Sequence, residues 1–220
     1  MIPQPSASSP SLLDVAPVVP VVVLYDIQAA VPLARALVAG GLPIIEVTLR
    51  TDAALRSIER IAVEVPEACV GAGTVVTTDQ VKQCVDAGAR FLVSPGCTDR
   101  LLTAMDGCGL PYLPGVATVS DMLTVLDRGR TEMKFFPAEA AGGVAYLKAV
   151  AGPLPHARFC PTGGITVATA GDYLALPNVG CVGGSWLTPA DAVAAGDWAR
   201  IADLAREVAS LWGPDSIVRG

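Results

Sequence analysis

"PIIEVTLRTDAALRSIERIAVEVP", residues 43–66, decides the fold. Its first eight residues are a short apolar run rich in branched side chains, the composition of a buried strand. The remaining residues change period. Ala54, Ile58 and Ile61 recur at three- and four-residue spacing among Arg, Glu and Ser, which is an amphipathic helix. The same alternation runs along the chain. "VVPVVVLY" (18–25) precedes "DIQAAVPLARALVAGG" (26–41), "ACVGAGTVV" (68–76) precedes "TTDQVKQCVDAGA", and "FLVSPG" (91–96) precedes "CTDRLLTAMDGCG". "PYLPGVA" (111–117), "EMKFFPA" (132–138), "ARFCPTGG" (157–164) and "VGCVGGSWL" (179–187) each precede a further helical pattern, the last over 199–212.

Eight strand–helix units at a spacing of about 20 to 25 residues imply a parallel sheet closed into a (β/α)8 TIM barrel. Asp26, Thr51, Thr77 and Ser120 stand near the expected helix starts as caps. "SLLDVAP" (11–17) reads as a short extra N-terminal helix under the barrel, residues 1–10 as a disordered tail, and 11–220 as one catalytic domain. The competing fold is an open doubly wound sheet. Its dinucleotide-binding form wants GxGxxG after the first strand, and none occurs there.

The composition narrows the partners. The chain has 220 residues, of which 52% are hydrophobic, and a net charge of −6. Without a basic tract, nucleic acid and anionic membrane surfaces are poor partners. No apolar run reaches the roughly 18 residues of a membrane span. "MIPQPSASSP" has neither the basic nor the apolar region of a signal peptide, so a cytoplasmic location is expected. Cys69, Cys84, Cys97, Cys108, Cys160 and Cys181 are scattered without a CxxC pair, which suits reduced thiols. His156 is the sole histidine. A His-rich metal site is therefore unavailable, as is a Ser-His-Asp triad unless His156 serves it.

Barrel active sites lie at the carboxyl ends of the strands, so polar residues late in strands are the candidates. Glu46, Thr48 and Arg50 follow at even spacing and share a face. Thr74 closes the third strand, and Ser94 and Pro95 the fourth. Lys134 lies in the sixth among Met133, Phe135 and Phe136, with Glu132 and Phe136 at its parity. "PTGG" (161–164) and "GGSWL" (183–187) end the last two. Each has a bland reading: Glu46 and Lys134 as a structural ion pair, Arg50 as a rim charge, Thr74 as a strand residue, the glycines as turns. Together they suit one chemistry. A lysine in a dry pocket can lose its proton and attack a carbonyl, giving an iminium that serves as an electron sink. A carboxylate beside it can move protons. An arginine can hold a substrate carboxylate bidentately. Glycine turns after the last two strands can bind phosphate through backbone N–H groups. The implied substrate has a 2-keto acid at one end and a phosphate at the other.

"VVPV", "GGLPIIEVTLRT", "VGAGTV", "VSPG", "KFFPAEAAGG", "RFCPTGGI" and "GGSWL", in that order from about residue 17 to 212, together resemble the 2-keto-3-deoxy-6-phosphogluconate (KDPG) and 4-hydroxy-2-oxoglutarate (KHG) aldolases. The resemblance implies a class I aldolase that releases pyruvate and needs no metal or cofactor. It implies Lys134 as the Schiff-base residue, Glu46 as acid/base, and Arg50 and Thr74 at the pyruvate end beside Pro95 and Phe136. It also implies Gly163, Gly164, Gly184 and Ser185 at the phosphate, and a homotrimer. Two stretches depart from it: "LYDIQAA" lacks a basic residue expected in some members, and the first ten residues match nothing in the family. Close alternatives are an aldolase for the 6-phosphogalactonate epimer or for an unphosphorylated keto acid. More distant ones are a non-covalent phosphate-binding isomerase or synthase and a sugar-acid sensor.

Overall fold

The computed structural model describes residues 11–211 of the protein. The tail expected over 1–10 and residues 212–220 lie outside that range. Strands and helices alternate as the sequence predicts. The strands are β1 (Val18–Val22), β2 (Ile44–Thr48), β3 (Cys69–Gly73), β4 (Leu92–Val93), β5 (Tyr112–Leu113), β6 (Gly115–Val116), β7 (Glu132–Phe135), β8 (Arg158–Pro161) and β9 (Val182–Gly184). The helices are α1 (Ala30–Ala39), α2 (Ala54–Glu64), α3 (Thr78–Asp86), α4 (Asp99–Gly107), α5 (Val119–Leu126), α6 (Gly143–Ala151), α7 (Val167–Leu174), α8 (Ala190–Ala195) and α9 (Trp198–Ala209).

Every strand pair is parallel. The ladders form a six-stranded sheet, β5-β4-β3-β2-β1-β9, and a three-stranded one, β6-β7-β8. This corrects the expectation of one continuous eight-stranded ring. The fifth predicted strand is split at Pro114, which has no N–H to give a ladder. Its carbonyl still accepts from the Lys134 N–H at 2.9 Å. Between β8 and β9 there are two isolated parallel bridges, Phe159–Val179 and Thr162–Gly183, in place of a ladder. The described architecture is therefore an α/β fold whose parallel sheet curls in two sections.

All five residues of β1 and of β2 are buried, because helices cover the outer face while side chains fill the inner one. Helix α2 buries Ser57, Ile58 and Ile61 and exposes Arg56, Glu59 and Glu64. Each buried isoleucine contributes about 1.5–3 kcal/mol, so this face holds the helix in place. Helix α9 packs so closely on the end of α1 that a Cβ at Gly40 would lie 2.6 Å from the Ala202 carbonyl oxygen. Helix α8 was not expected and separates β9 from α9.

Two of the four expected caps hold. Asp26 accepts from the Gln28 N–H, and Thr77 forms a reciprocal box with Gln80. The other two shift. Thr51 precedes the Ala53 cap of α2 and donates its hydroxyl to the Leu24 carbonyl. Ser120 lies inside α5, which is capped by Thr118 because Asp121, three residues on, completes a box with it.

The short N-terminal helix is a 3-10 turn, Leu12–Asp14, with Leu12 and Leu13 buried. Ser11 donates to Glu132, and Arg158 pairs with both Asp14 and Glu132. Glu132 and Arg158 open β7 and β8, so the turn is tied across the amino ends of the strands. Glu132 is thereby remote in role from Lys134, despite sharing its parity.

Candidate active site

Lys134 and Glu46 meet in the interior. Lys134 Nζ donates to Glu46 Oε1 at 3.1 Å, with the two side chains 4% and 3% exposed. Glu46 lies in β2 between Val21 of β1 and Gly71 of β3, and Lys134 lies in β7 between Gly115 and Cys160. The carboxylate fits because Gly73 has no side chain. A Cβ there would lie 2.6 Å from Glu46 Cγ and closer still to Oε1. Sequence reasoning passed over Gly73. The available signal was a glycine within the apolar run 68–76, a residue type that marks a close approach in a strand.

Ser94 and Pro95 adjoin Gly115, the β6 partner of Lys134. Ser94 Oγ accepts from the Gly115 N–H at 3.2 Å, and a Cβ on Gly115 would overlap the Pro95 backbone. These residues fix the strand that flanks Lys134. Phe136 sits closer, with Lys134 Nζ 5.4 Å from its ring centroid, a distance suited to a cation–π contact. The same ring lies 3.3 Å from where a Cβ on Gly163 would be. It therefore spans from the lysine to the PTGG turn.

Arg50 lies beyond the end of β2, so strand parity does not set its direction. Strand β2 ends at Thr48, whose hydroxyl donates to the buried Val22 carbonyl at 2.9 Å. Arg50 sits in the bend beyond it, exposed, and its Nε donates to Thr74 Oγ1 at 3.3 Å. Thr74 has φ 60, the sole left-handed non-glycine among the described residues. A β-branched residue there is strained by roughly 1–3 kcal/mol. Among the described residues no carboxylate pairs with Arg50.

The two glycine turns adjoin. The Thr162–Gly183 bridge sets residues 163–164 beside β9, which ends at Gly184. Gly163 and Gly164 have φ 102 and 83, conformations that glycine alone adopts freely. Gly184 backs onto the Trp186 ring, and Ser185 is exposed.

A buried ion pair is a weak stabiliser, since well-packed apolar residues in its place are often neutral or better. The Lys134–Glu46 pair is therefore better explained by chemistry than by stability. A family model, KDPG and KHG aldolase, matches residues 10–204. The chain belongs to the KDPG and KHG aldolase family. It is 55% identical over 200 residues to the KHG/KDPG aldolase of Escherichia coli strain K12, covering 91% of this chain and 94% of that protein. The KDPG aldolase of Legionella pneumophila, solved with pyruvate as a covalent carbinolamine, superposes with a TM-score of 0.88 at 46% identity, covering 90% and 96% of the two chains. The KDPG aldolase of Zymomonas mobilis ZM4, solved with 3-phosphoglycerate, gives 0.86 at 47% identity over 91% and 94%. As a KDPG and KHG aldolase, the chain is a carbon–carbon lyase of the Schiff-base class.

Proposed function

We propose that Lys134 is the nucleophile of a reaction that cleaves 2-dehydro-3-deoxy-6-phosphogluconate to pyruvate and glyceraldehyde 3-phosphate, and 4-hydroxy-2-oxoglutarate to pyruvate and glyoxylate. The observation that carries the reading is the buried 3.1 Å contact between Lys134 Nζ and Glu46 Oε1. The lysine nitrogen attacks C2, and the carbinolamine loses water to give an iminium. Glu46 moves the protons that this dehydration needs. Removal of the C4 hydroxyl proton breaks the C3–C4 bond, and its electrons enter the iminium as an enamine. The aldehyde leaves, the enamine takes a proton at C3, and hydrolysis frees pyruvate and the amine.

Arg50 and Thr74 hold the substrate carboxylate, with Pro95 and Phe136 forming the wall. Gly163, Gly164, Gly184 and Ser185 hold the phosphate. The positive-φ turn supports that placement, as does a Gly164 N–H with no acceptor among the described residues. No metal or cofactor enters the scheme. Among the described residues no three His, Cys, Asp or Glu side chains converge as ligands. The reading extends to a closed (β/α)8 barrel in one domain over 11–220, to a homotrimer, and to a cytoplasmic location. The isolated bridges between β8 and β9 support the closure. Among the described residues no helix is long and apolar enough to cross a membrane.

A turnover assay on both 6-phosphate epimers, with coupled pyruvate detection, tests the substrate assignment. The gluconate epimer should be the faster, and prolonged EDTA should leave the rate intact. A faster galactonate epimer would reassign the substrate. Activity lost on chelation and restored by a divalent ion would overturn the metal-free scheme.

Arg50→Lys keeps the charge and loses the two-pronged grip on a carboxylate. We expect kcat/KM to fall about 10- to 150-fold, equivalent to about 1.5–3 kcal/mol, the scale of a hydrogen bond to a charged group. Steady-state kinetics unchanged from wild type would make Arg50 a rim charge.

A further inference from the structure

The second half of "KFFPAEAAGG" has no part in the scheme above, yet it is tightly built. Tyr173 of α7 is wholly buried, so its hydroxyl needs a partner inside the protein. It donates to Glu139 Oε1 at 2.6 Å. Gly143, at φ +57, leaves room for that hydroxyl, since a Cβ there would lie 3.1 Å from it. Glu139 in turn packs on the PTGG turn, with its Cγ 2.6 Å from where a Cβ on Gly164 would be. The backbone repeats the connection. Ala138 N–H donates to the Thr162 carbonyl at 2.8 Å, and Glu139 N–H to the Gly163 carbonyl at 3.1 Å.

We propose that Glu139 and Tyr173 are a positioning pair that holds the Gly163–Gly164 turn in its anion-binding shape and so sets the preference for phosphorylated over unphosphorylated substrate. The proposal rests on the phosphate reading given above. Neither side chain needs to touch the substrate. An anion held by backbone N–H groups gains most when those groups are already ordered, because the ordering is not then deducted from binding. The turn itself consists of two glycines, the residues with the most backbone freedom to lose. Fixing it requires a contact from outside, and the Glu139 side chain lies directly against it. Tyr173 fixes Glu139 from the buried side. Burial and the adjacent carboxylate both push the Tyr173 phenol up, so it remains a donor across the working pH range.

Two substrates separate positioning from general support, since 4-hydroxy-2-oxoglutarate has no phosphate. Tyr173→Phe removes the hydroxyl and keeps the ring. It should raise KM for the phosphorylated substrate about tenfold and leave 4-hydroxy-2-oxoglutarate kinetics within about twofold. Glu139→Gln still offers an oxygen to the hydroxyl and should stay within about threefold of wild type on both. Equal losses on the two substrates, or none, in Tyr173→Phe would overturn the proposal. Titrating inorganic phosphate into 15N-labelled protein locates any failure. The Gly164 amide should shift in wild type, and Tyr173→Phe should need about tenfold more phosphate. No response in wild type would remove the phosphate reading and this proposal with it. A response at equal phosphate in both proteins would remove the positioning pair alone.

Discussion

Pyruvate and borohydride added together should inactivate the enzyme irreversibly and leave a reduced pyruvate on Lys134. Borohydride traps an iminium, and an iminium forms where an amine is unprotonated and held beside a carbonyl. The chain has two other lysines, Lys82 and Lys148, both exposed on helix surfaces. Neither is buried beside a carboxylate as Lys134 is. Peptide mapping should therefore find the adduct on the segment containing Lys134, and an adduct on Lys82 or Lys148 would sink the assignment. Lys134→Met should abolish both adduct and turnover. Methionine fills the space but leaves Glu46 without its partner, a loss of about 3–5 kcal/mol for a broken buried pair. A circular dichroism spectrum and melting curve of the variant establish that a folded protein was assayed.

Glu46→Gln should divide the reaction into steps that survive and one that does not. Glutamine keeps the shape and can still hydrogen-bond Lys134 but cannot carry a proton between substrate atoms. The amine can still add to pyruvate, more slowly, because dehydration of the carbinolamine also needs proton transfer. Removal of a methyl proton from the pyruvate iminium should suffer most, by about 10²–10⁴-fold. The measurement is the decay of the pyruvate methyl proton signal in D₂O. Exchange near the wild-type rate with cleavage lost would show that another base serves the methyl. Glu46 would then orient Lys134 or carry the proton for the aldehyde half.

The chemistry of this site was more legible in the sequence than its geometry. Lys134 and Glu46 stood out because charged residues late in apolar strands have few reasons to be there, and they meet as that argument requires. Parity placed Glu46 correctly because it lies within β2, whereas Arg50 lies past the end of β2, where period-two alternation no longer holds. Gly73 was missed because its contribution is an absence of atoms, and the group that needs the space belongs to a neighbouring strand. Pro114 was visible, but what it interrupts depends on which strands flank it. Ser120 and Thr118 are both acceptable caps by residue type. The choice between them lay with Asp121, three residues after Thr118.

The place of β1 between β2 and β9 has a consequence for how the chain is made. Val18 finds its partner on one side in Val182, close to the other end of the sequence. A ribosome adding about 5–20 residues per second exposes β1 on the order of ten seconds before β9 emerges. During that interval an all-apolar strand keeps one row of backbone N–H and C=O groups unpaired, which is an edge that other chains can join. Pairing so distant in sequence also makes the final closure slow relative to the local strand–helix units.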